Sequence, residues 1–535
     1  MRTYRSYIII LLGLLITTVS EPVFAQLIYQ PYSYQFYQKF GTDLYSTKTR
    51  LHTSIKYGFA DSLLRVRYDS LMNIGKNENY KSPFARKLLT EHQLDTKGST
   101  YTFYADLLPD VLIGRDFSGG KTTSLVSLGI QAGGTFGSHF LYYGSFYYNQ
   151  AVFAPYEINY VNSVGYIPGQ GTDRDPGQNT KNYYYSSFLL SYAPVKFINF
   201  ELGKDKTFVG DGYRSMLLSD FASNYPFFRL TATVGNVKYV TMYTYMNNPN
   251  APLASDGSVR NKWGYFQYFD WNVSNRVSLG FFQNVMEANR DRNGQVRGFN
   301  PSLAIPFTFL FPINNINNDP GKNLIGVTTK YKPFNKTIIY AQFALNEFRS
   351  KDFFSGNGSV TNKSGYQIGV RGADLFHVSG LNYLAEYNSA RPYTYSSFDQ
   401  TSNYSQNNQP LANPFGANFR EWLGILNYSH RRFDFQWQFN YAYYGLDTNG
   451  LNYGHDIFEP YTTAAKQYDN YVGQGLRTTF YYTEGKVAYI INPKYNLRLE
   501  FGGIYRSEVN SETNSKTAML TIGLRSSFRN IYNDF

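Results

Sequence analysis

Residues 432–443 read Arg432-Phe433-Asp434-Phe435-Gln436-Trp437-Gln438-Phe439-Asn440-Tyr441-Ala442-Tyr443. In an extended chain Phe433, Phe435, Trp437, Phe439, Tyr441 and Tyr443 share one face, and Asp434, Gln436, Gln438 and Asn440 share the other. A period of two residues is that of a β-strand, whose successive side chains point to opposite sides. The pattern recurs. Tyr495, Leu497, Leu499 and Phe501 alternate with Asn496, Arg498 and Glu500; Ala518, Leu520, Ile522 and Leu524 alternate with Thr521, Gly523 and Arg525, Met519 being the exception. In a soluble sandwich each apolar face would pack on a second sheet. Strands whose opposite face is polar and glycine-containing fit a closed barrel with lipid outside and water within. The expected class is all-β, a transmembrane outer-membrane β-barrel.

Working outward from that stretch, alternation places strands from 109–117 to 516–529, about 18 in all. Tight turns join alternate pairs: Ala193-Pro194-Val195, Gly235, Lys332 to Asn335, Ser429 to Arg431 and Asn492-Pro493-Lys494. Between them lie long polar segments at 151–182, 204–226, 287–321, 390–418 and 445–474. Short turns at one end and long loops at the other are the outer-membrane barrel pattern. An even strand number puts both barrel ends on the short-turn, periplasmic side, and the barrel is expected over 109–535.

Composition agrees. Of 535 residues, 19% are aromatic and 16% charged, and none is cysteine. The missing thiol excludes a disulfide scaffold, a thiolate metal site and a cysteine nucleophile. After residue 25 no uncharged apolar run reaches the roughly 18 residues of a spanning helix. Residues 1–25 read as a signal peptide: Arg2 and Arg5 precede the apolar stretch Tyr7 to Thr18, and Val23-Phe24-Ala25 supplies small residues at a cleavage site. The remainder carries a net charge of +11 with no block of like charge. That balance suits lipid and lipopolysaccharide surroundings and gives no nucleic-acid surface. Residues 26–108 are expected to form an N-terminal periplasmic or plug segment with short helices, at 61–71 and after Ser82-Pro83, where Phe84, Leu88 and Leu89 make an apolar stripe. Phe535 places an aromatic residue at the C-terminus, the mark by which barrel-assembly machinery recognises its clients, although Tyr532 stands one position off the usual alternation.

Several motifs carry no weight. Gly120-Lys121-Thr122 lacks the leading glycine of a phosphate loop, since position 115 is Arg. Asp173 and Asp175 stop short of a calcium loop, with Pro176 intervening. Six histidines are scattered without a metal-ligand pair. No metal, cofactor or catalytic residue is expected.

Gly203-Lys204-Asp205-Lys206-Thr207-Phe208-Val209-Gly210-Asp211-Gly212-Tyr213-Arg214-Ser215-Met216-Leu217-Leu218-Ser219-Asp220-Phe221-Ala222, followed by Tyr225-Pro226, resembles the most recognisable stretch of the Wzi capsule-assembly family. Within it the chain is most similar to the Bacteroidetes branch of gliding motility RemB-like proteins, through His52 to Lys56, Tyr101 to Asp106, Leu108 to Val111 and Ile113 to Asp116. Asp211 stands where capsule-assembly members often have proline. The resemblance implies a non-enzymatic barrel of about 18 strands that holds surface polysaccharide at its extracellular face. Loops rich in Tyr, Asn, Gln and Asp suit sugars, because aromatic faces stack on pyranose C–H surfaces while amides and carboxylates bond hydroxyls. Tyr393, Tyr395, Tyr404, Gln406, Asn407 and Asn408 supply these groups in one loop, and Tyr453, Tyr461, Gln467, Tyr468, Asp469 and Asn470 in another. Segment 204–226 contains the apolar triplet Met216-Leu217-Leu218, which in water would forgo burial. The segment is therefore expected to fold into the lumen, with Lys204, Asp205, Asp211, Tyr213, Arg214 and Asp220 as a charged cluster that either braces it or binds polysaccharide. A porin or substrate-selective channel, and an outer-membrane hydrolase, remain as other readings.

Overall fold

The structure, a computed structural model, describes residues 28–535 apart from 57–61, 76–79, 81, 250–260, 291–294, 304–322 and 348–349. The expected signal peptide and most of segment 287–321 lie outside the described residues.

One antiparallel sheet closes on itself. Its barrel strands are β1 Tyr101–Asp116, β2 Lys121–Phe136, β3 Phe140–Val152, β4 Thr180–Val195, β5 Ile198–Asp205, β6 Tyr225–Val234, β7 Val237–Asn247, β8 Asn261–Trp271 and β9 Val277–Ala288. The second half is β10 Asn323–Tyr331, β11 Thr337–Glu347, β12 Lys363–Gly372, β13 Leu381–Ala390, β14 Phe419–His430, β15 Phe433–Leu446, β16 Leu476–Asn492, β17 Leu497–Val509 and β18 Asn514–Ser526. Each stretch singled out by alternation is one of these eighteen strands. Closure is made by β1 with β18, in register from Val111 opposite Leu524 to Asp116 opposite Met519. The strand β1 begins at Tyr101, eight residues before the expected boundary at 109. The added length is paired on one side by β2 and on the other by the short strand Leu94–Lys97, which covers the edge that β18 leaves when it ends at Ser526.

The faces divide as the alternation requires. Phe433, Phe435, Trp437 and Phe439 are exposed on the outer wall, whereas Asp434, Gln438 and Asn440 are buried inside. Leu499, Phe501, Leu520 and Ile522 lie outward, and Arg498, Glu500 and Arg525 inward. An outward apolar band with an inward polar face is the transmembrane β-barrel arrangement. Among the described residues no helix is long and apolar enough to cross a membrane.

Helices α1 Ser62–Met72 and α2 Pro83–Leu89 form where the sequence places them. The apolar stripe of α2 does not face a core, however: Phe84 and Leu88 are exposed. Backbone oxygens hold this helix instead, because Asn492 Nδ2 donates to the carbonyls of Lys87 and Glu91, and the Tyr495 hydroxyl to Lys87. Upstream, Tyr37, Phe40, Leu44 and Tyr45 pack on the inward-facing Ile338 and Tyr340 of β11, so this part of the chain occupies the lumen.

The C-terminal end continues past the last strand, as the expected strand limit of 529 requires. Phe535 does not finish the last strand, which stops at Ser526. Residues 527–535 turn inward, and the Phe535 ring rests 4.7 Å from Tyr160 and 5.7 Å from Tyr156 on a third helix, α3 Pro155–Val164. The off-register Tyr532 is the sign of this turn, since its hydroxyl is used inside, on Asp220.

Candidate functional site

Residues 206–224 connect β5 to β6 and fold into the barrel, with Ser223 and Asn224 returning to its rim. Val209 N–H donates to the Leu218 carbonyl at 2.8 Å, closing a loop, and Gly210 N–H donates to Ser54 at 2.7 Å, joining that loop to the N-terminal segment. Gly210 has φ of 141°, a backbone state that favours glycine. Ser215 fixes the turn between them: its hydroxyl donates to Val209 and accepts from the N–H groups of Leu217 and Leu218. Met216, Leu217 and Leu218 then enter a core with Met242, Phe282 and Leu324 of the inner wall. Two wall glycines make room for them, because a side chain at Gly326 would strike Leu217 and one at Gly365 would strike Met216. The triplet is buried as expected, against wall that is locally apolar rather than polar.

The six predicted site residues do not form one cluster. Asp205 accepts from Tyr29 of the N-terminal segment. Asp211 accepts from Thr53 and Ser54. Burial would raise the Asp211 carboxyl, but Lys330 and the two hydroxyls hold it below the ordinary carboxylate value. Arg214 pairs with Glu421 of β14 at 3.1 Å and with Asp534 of the tail at 2.9 Å. Tyr213 stacks edge-on against Tyr34 at 4.8 Å and lies 6.0 Å from Tyr532. Asp220 accepts from Asn530 and Tyr532, both at 2.5 Å. These five join the N-terminal segment, the tail and the wall. Lys204 is elsewhere. Along β5 Glu201 and Asp205 point inward, so Phe200, Leu202 and Lys204 point out, and Lys204 Nζ donates to Ser186 Oγ on the outer wall at 3.2 Å.

The loop 391–418 also turns inward. Tyr395 and Tyr404 donate their hydroxyls to the carbonyls of Met216 and Leu217, at 2.8 and 2.5 Å, and Tyr393 donates to Asn452. Gln406 and Asn408 are buried as well. These five residues are buried against the plug, which corrects their reading as a polysaccharide surface; of the six named in this loop only Asn407 keeps partial exposure. The loop 447–475 differs. Asn470 and Tyr461 are buried, but Gln467, Tyr468, Asp469 and Tyr471 are exposed, Tyr468 at 55% and Tyr471 at 61%. Their backbone is fixed: Asp469 N–H donates to Asn357 and Asn470 N–H to Gly358, while Gln467 accepts from Val360 N–H. Tyr471 belongs to this patch and went unnoticed in the sequence, where its exposure has no local signal.

Fold and site together define an eighteen-stranded antiparallel transmembrane barrel whose lumen holds its own N-terminal segment, the 206–224 connection, a long loop and the C-terminal tail. No protein-family model and no curated protein matches the sequence. Among solved structures the chain is similar to Wzi of Escherichia coli, an outer-membrane protein involved in group 1 capsule assembly and a carbohydrate-binding β-barrel. The likeness has 14% identity, covers 94% of this chain and 100% of that one, and reaches a TM-score of 0.55. It is also similar to OprD of Pseudomonas aeruginosa (8% identity, 79% and 94% of the two chains, TM-score 0.41) and to OccAB2 of Acinetobacter baumannii (8%, 80% and 99%, TM-score 0.43). At these identities the likeness is one of fold.

Proposed function

We propose that this protein is a non-enzymatic outer-membrane barrel that holds surface polysaccharide at its long-loop end, in capsule assembly or attachment or in gliding motility at the cell surface. The observation that carries the reading is the pinned, outward patch of Tyr468, Tyr471, Gln467 and Asp469, which combines stacking faces with hydroxyl-bonding groups on a rigid backbone. The likeness to a carbohydrate-binding barrel over nearly the whole chain supports it. The filled lumen weighs against the porin reading, since four inward segments occupy the space a solute would use. The gliding, RemB-like placement rests on the sequence resemblance alone. Recognition of Phe535 by assembly machinery would act on the chain before the tail is folded inside.

The test is retention of extracellular polysaccharide by cells carrying Tyr468→Ala with Tyr471→Ala. Each lost sugar–aromatic contact is worth roughly 0.5–1.5 kcal/mol, so retention falls severalfold while the barrel stays assembled. Unchanged retention would remove the polysaccharide assignment from this patch.

A further inference from the structure

The outer wall carries a crevice apart from the patch at Tyr468. Where β4 and β5 reach the long-loop end, this crevice of about 200 Å³ opens outward, lined by Arg174, Tyr184, Ser186, Lys204, Asn224 and Asn407 among others. It stands in the long-loop half of the apolar belt, level with the outward Phe146 and Tyr148 of β3. Phe188, Leu190 and Tyr192 of β4, Phe200 and Leu202 of β5 and Phe228 of β6 are exposed on the same outer face below it. Lys204 pairs across the sheet with Phe188 and Pro226, about six residues, or roughly 20 Å of strand, from the short turn at 196–197. On a strand tilted about 35–45° that length rises roughly 15 Å, more than half the roughly 25 Å height of the apolar band of an outer-membrane barrel.

The crevice is positively charged. Arg174 lies 4.3 Å over the Tyr184 ring, and Lys204 meets the Ser186 hydroxyl; among the described residues neither cation is paired with a carboxylate. The carboxylates beside the two cations are already engaged: Asp173 by Lys181 at 2.6 Å and Asp175 by Asn182 on either side of Arg174, and Asp205, next to Lys204 in the chain, by Tyr29 on the inner side of the wall. Around the cations stand polar groups suited to hydroxyls: Asn224, whose Oδ1 is buried with no hydrogen-bond partner, and Asn407, which donates to Ser223.

We propose that this crevice binds the phosphorylated sugar headgroup of an outer-leaflet glycolipid, with its acyl chains lying on the apolar belt beneath. Lys204 and Arg174 take the phosphate through charge-assisted hydrogen bonds, and the amides and Ser186 take sugar hydroxyls. A soluble glycan has no use for the belt, and the plug turns the crevice away from the lumen, so the lipid-linked headgroup is the occupant that matches both surfaces. The site is independent of the patch at Tyr468.

Native mass spectrometry of the purified barrel in detergent tests this. The probes are lipid A with its phosphates, the same lipid dephosphorylated, and inorganic phosphate. The wild type retains phosphorylated lipid A over the dephosphorylated form. Lys204→Gln combined with Arg174→Gln lowers that retention roughly tenfold or more. Lys196→Gln, at the opposite end of the same hairpin, behaves as wild type. Both cations are on the surface, and heat-modifiable gel migration verifies that each variant is a folded barrel. Wild-type retention by the double variant, equal retention of the dephosphorylated lipid, or binding of inorganic phosphate with no lipid retained would each overturn the assignment.

Discussion

Arg214 is the residue on which the plug turns. Its guanidinium joins the 206–224 connection to the wall through Glu421 and to the tail through Asp534, and all three are buried. Removing one member of such a group leaves the others charged and unpaired, at about 3–5 kcal/mol. Arg214→Ala is therefore expected to lower the temperature at which the barrel band converts to the unfolded band on a gel. Arg214→Met with Glu421→Gln, which removes the orphaned charge on the wall, should recover part of the loss. Wild-type migration of Arg214→Ala would show that the pairing contributes nothing. The two faces of β17 separate in the same assay. Leu499→Arg sets a cation in the lipid band, at about 2–4 kcal/mol near the midplane, and should reduce the yield of inserted barrel. Glu500→Gln strips Arg498 and Arg525 of their shared partner and should leave yield intact but soften the folded form. An unaffected yield for Leu499→Arg would invert the assignment of faces. The outward position of Lys204 was readable from its parity with Phe200 and Leu202, but its place inside a glycine-punctuated, charged stretch drew it to the lumen.

At the scale of elements, α3 shows how a loop helix is held. Ala154 precedes it and has no side-chain oxygen to cap it; Glu157 reaches back to the Ala154 N–H at 3.0 Å and makes half of a capping box. Burial raises the Glu157 carboxyl from the ordinary 4.5 to about 7, against the opposing pull of that N–H and of Arg506. The sign follows from proton counting. Between pH 4.5 and 7 the folded form holds a proton that the unfolded form has lost, so stability falls as pH rises through this window and is greatest below it. The full difference is on the order of 3 kcal/mol. Hydrogen exchange of 155–164, corrected for intrinsic rates, should be better protected at pH 5 than at pH 8, and Glu157→Gln should abolish the contrast. A pH-independent wild type would refute this. Tyr156 of this helix packs on Phe535 and donates its hydroxyl to the Asn533 carbonyl, so loosening of the helix should also be felt by the tail.

The strands were legible in the sequence because each has two solvents, lipid on one side and polar interior on the other, and alternation records both. The plug was legible only where that logic failed: Met216-Leu217-Leu218 is too apolar for a surface loop. Tyr393, Tyr395 and Tyr404 were misread because a tyrosine that stacks on sugar and one that donates its hydroxyl to a buried carbonyl have the same letter and the same neighbours. Only the fold distinguishes them, through partners some 180 residues distant in the case of Tyr395 and Tyr404. The tail carries no period, so its turn into the lumen had no signal beyond the misplaced Tyr532.

For the whole molecule, the decisive quantity is whether the lumen conducts. An eighteen-stranded barrel is wide enough to leave an aqueous channel if only wall side chains fill it. Here the space is taken by chain. The N-terminal segment meets β11 through Tyr37, Phe40, Leu44 and Tyr45, the 206–224 connection crosses to β10 and β12, and the tail runs back to Asp110 through Arg529 at 3.2 Å. These segments hold one another by buried hydrogen bonds and ion pairs, whose loss would leave buried charges unpaired. The plug is thus expected to open only as a unit, and the purified protein to be silent in planar bilayers. Deleting 208–218 removes the apolar triplet, Asp211 and Arg214 together and so frees both the N-terminal segment and the tail from their common support. Heat-modifiable migration first establishes that the shortened chain still closes as a barrel; its ion conductance should then rise well above that of the wild type. A wild type that already conducts, or a folded deletion that stays silent, would mean that the 206–224 connection is not what closes the barrel.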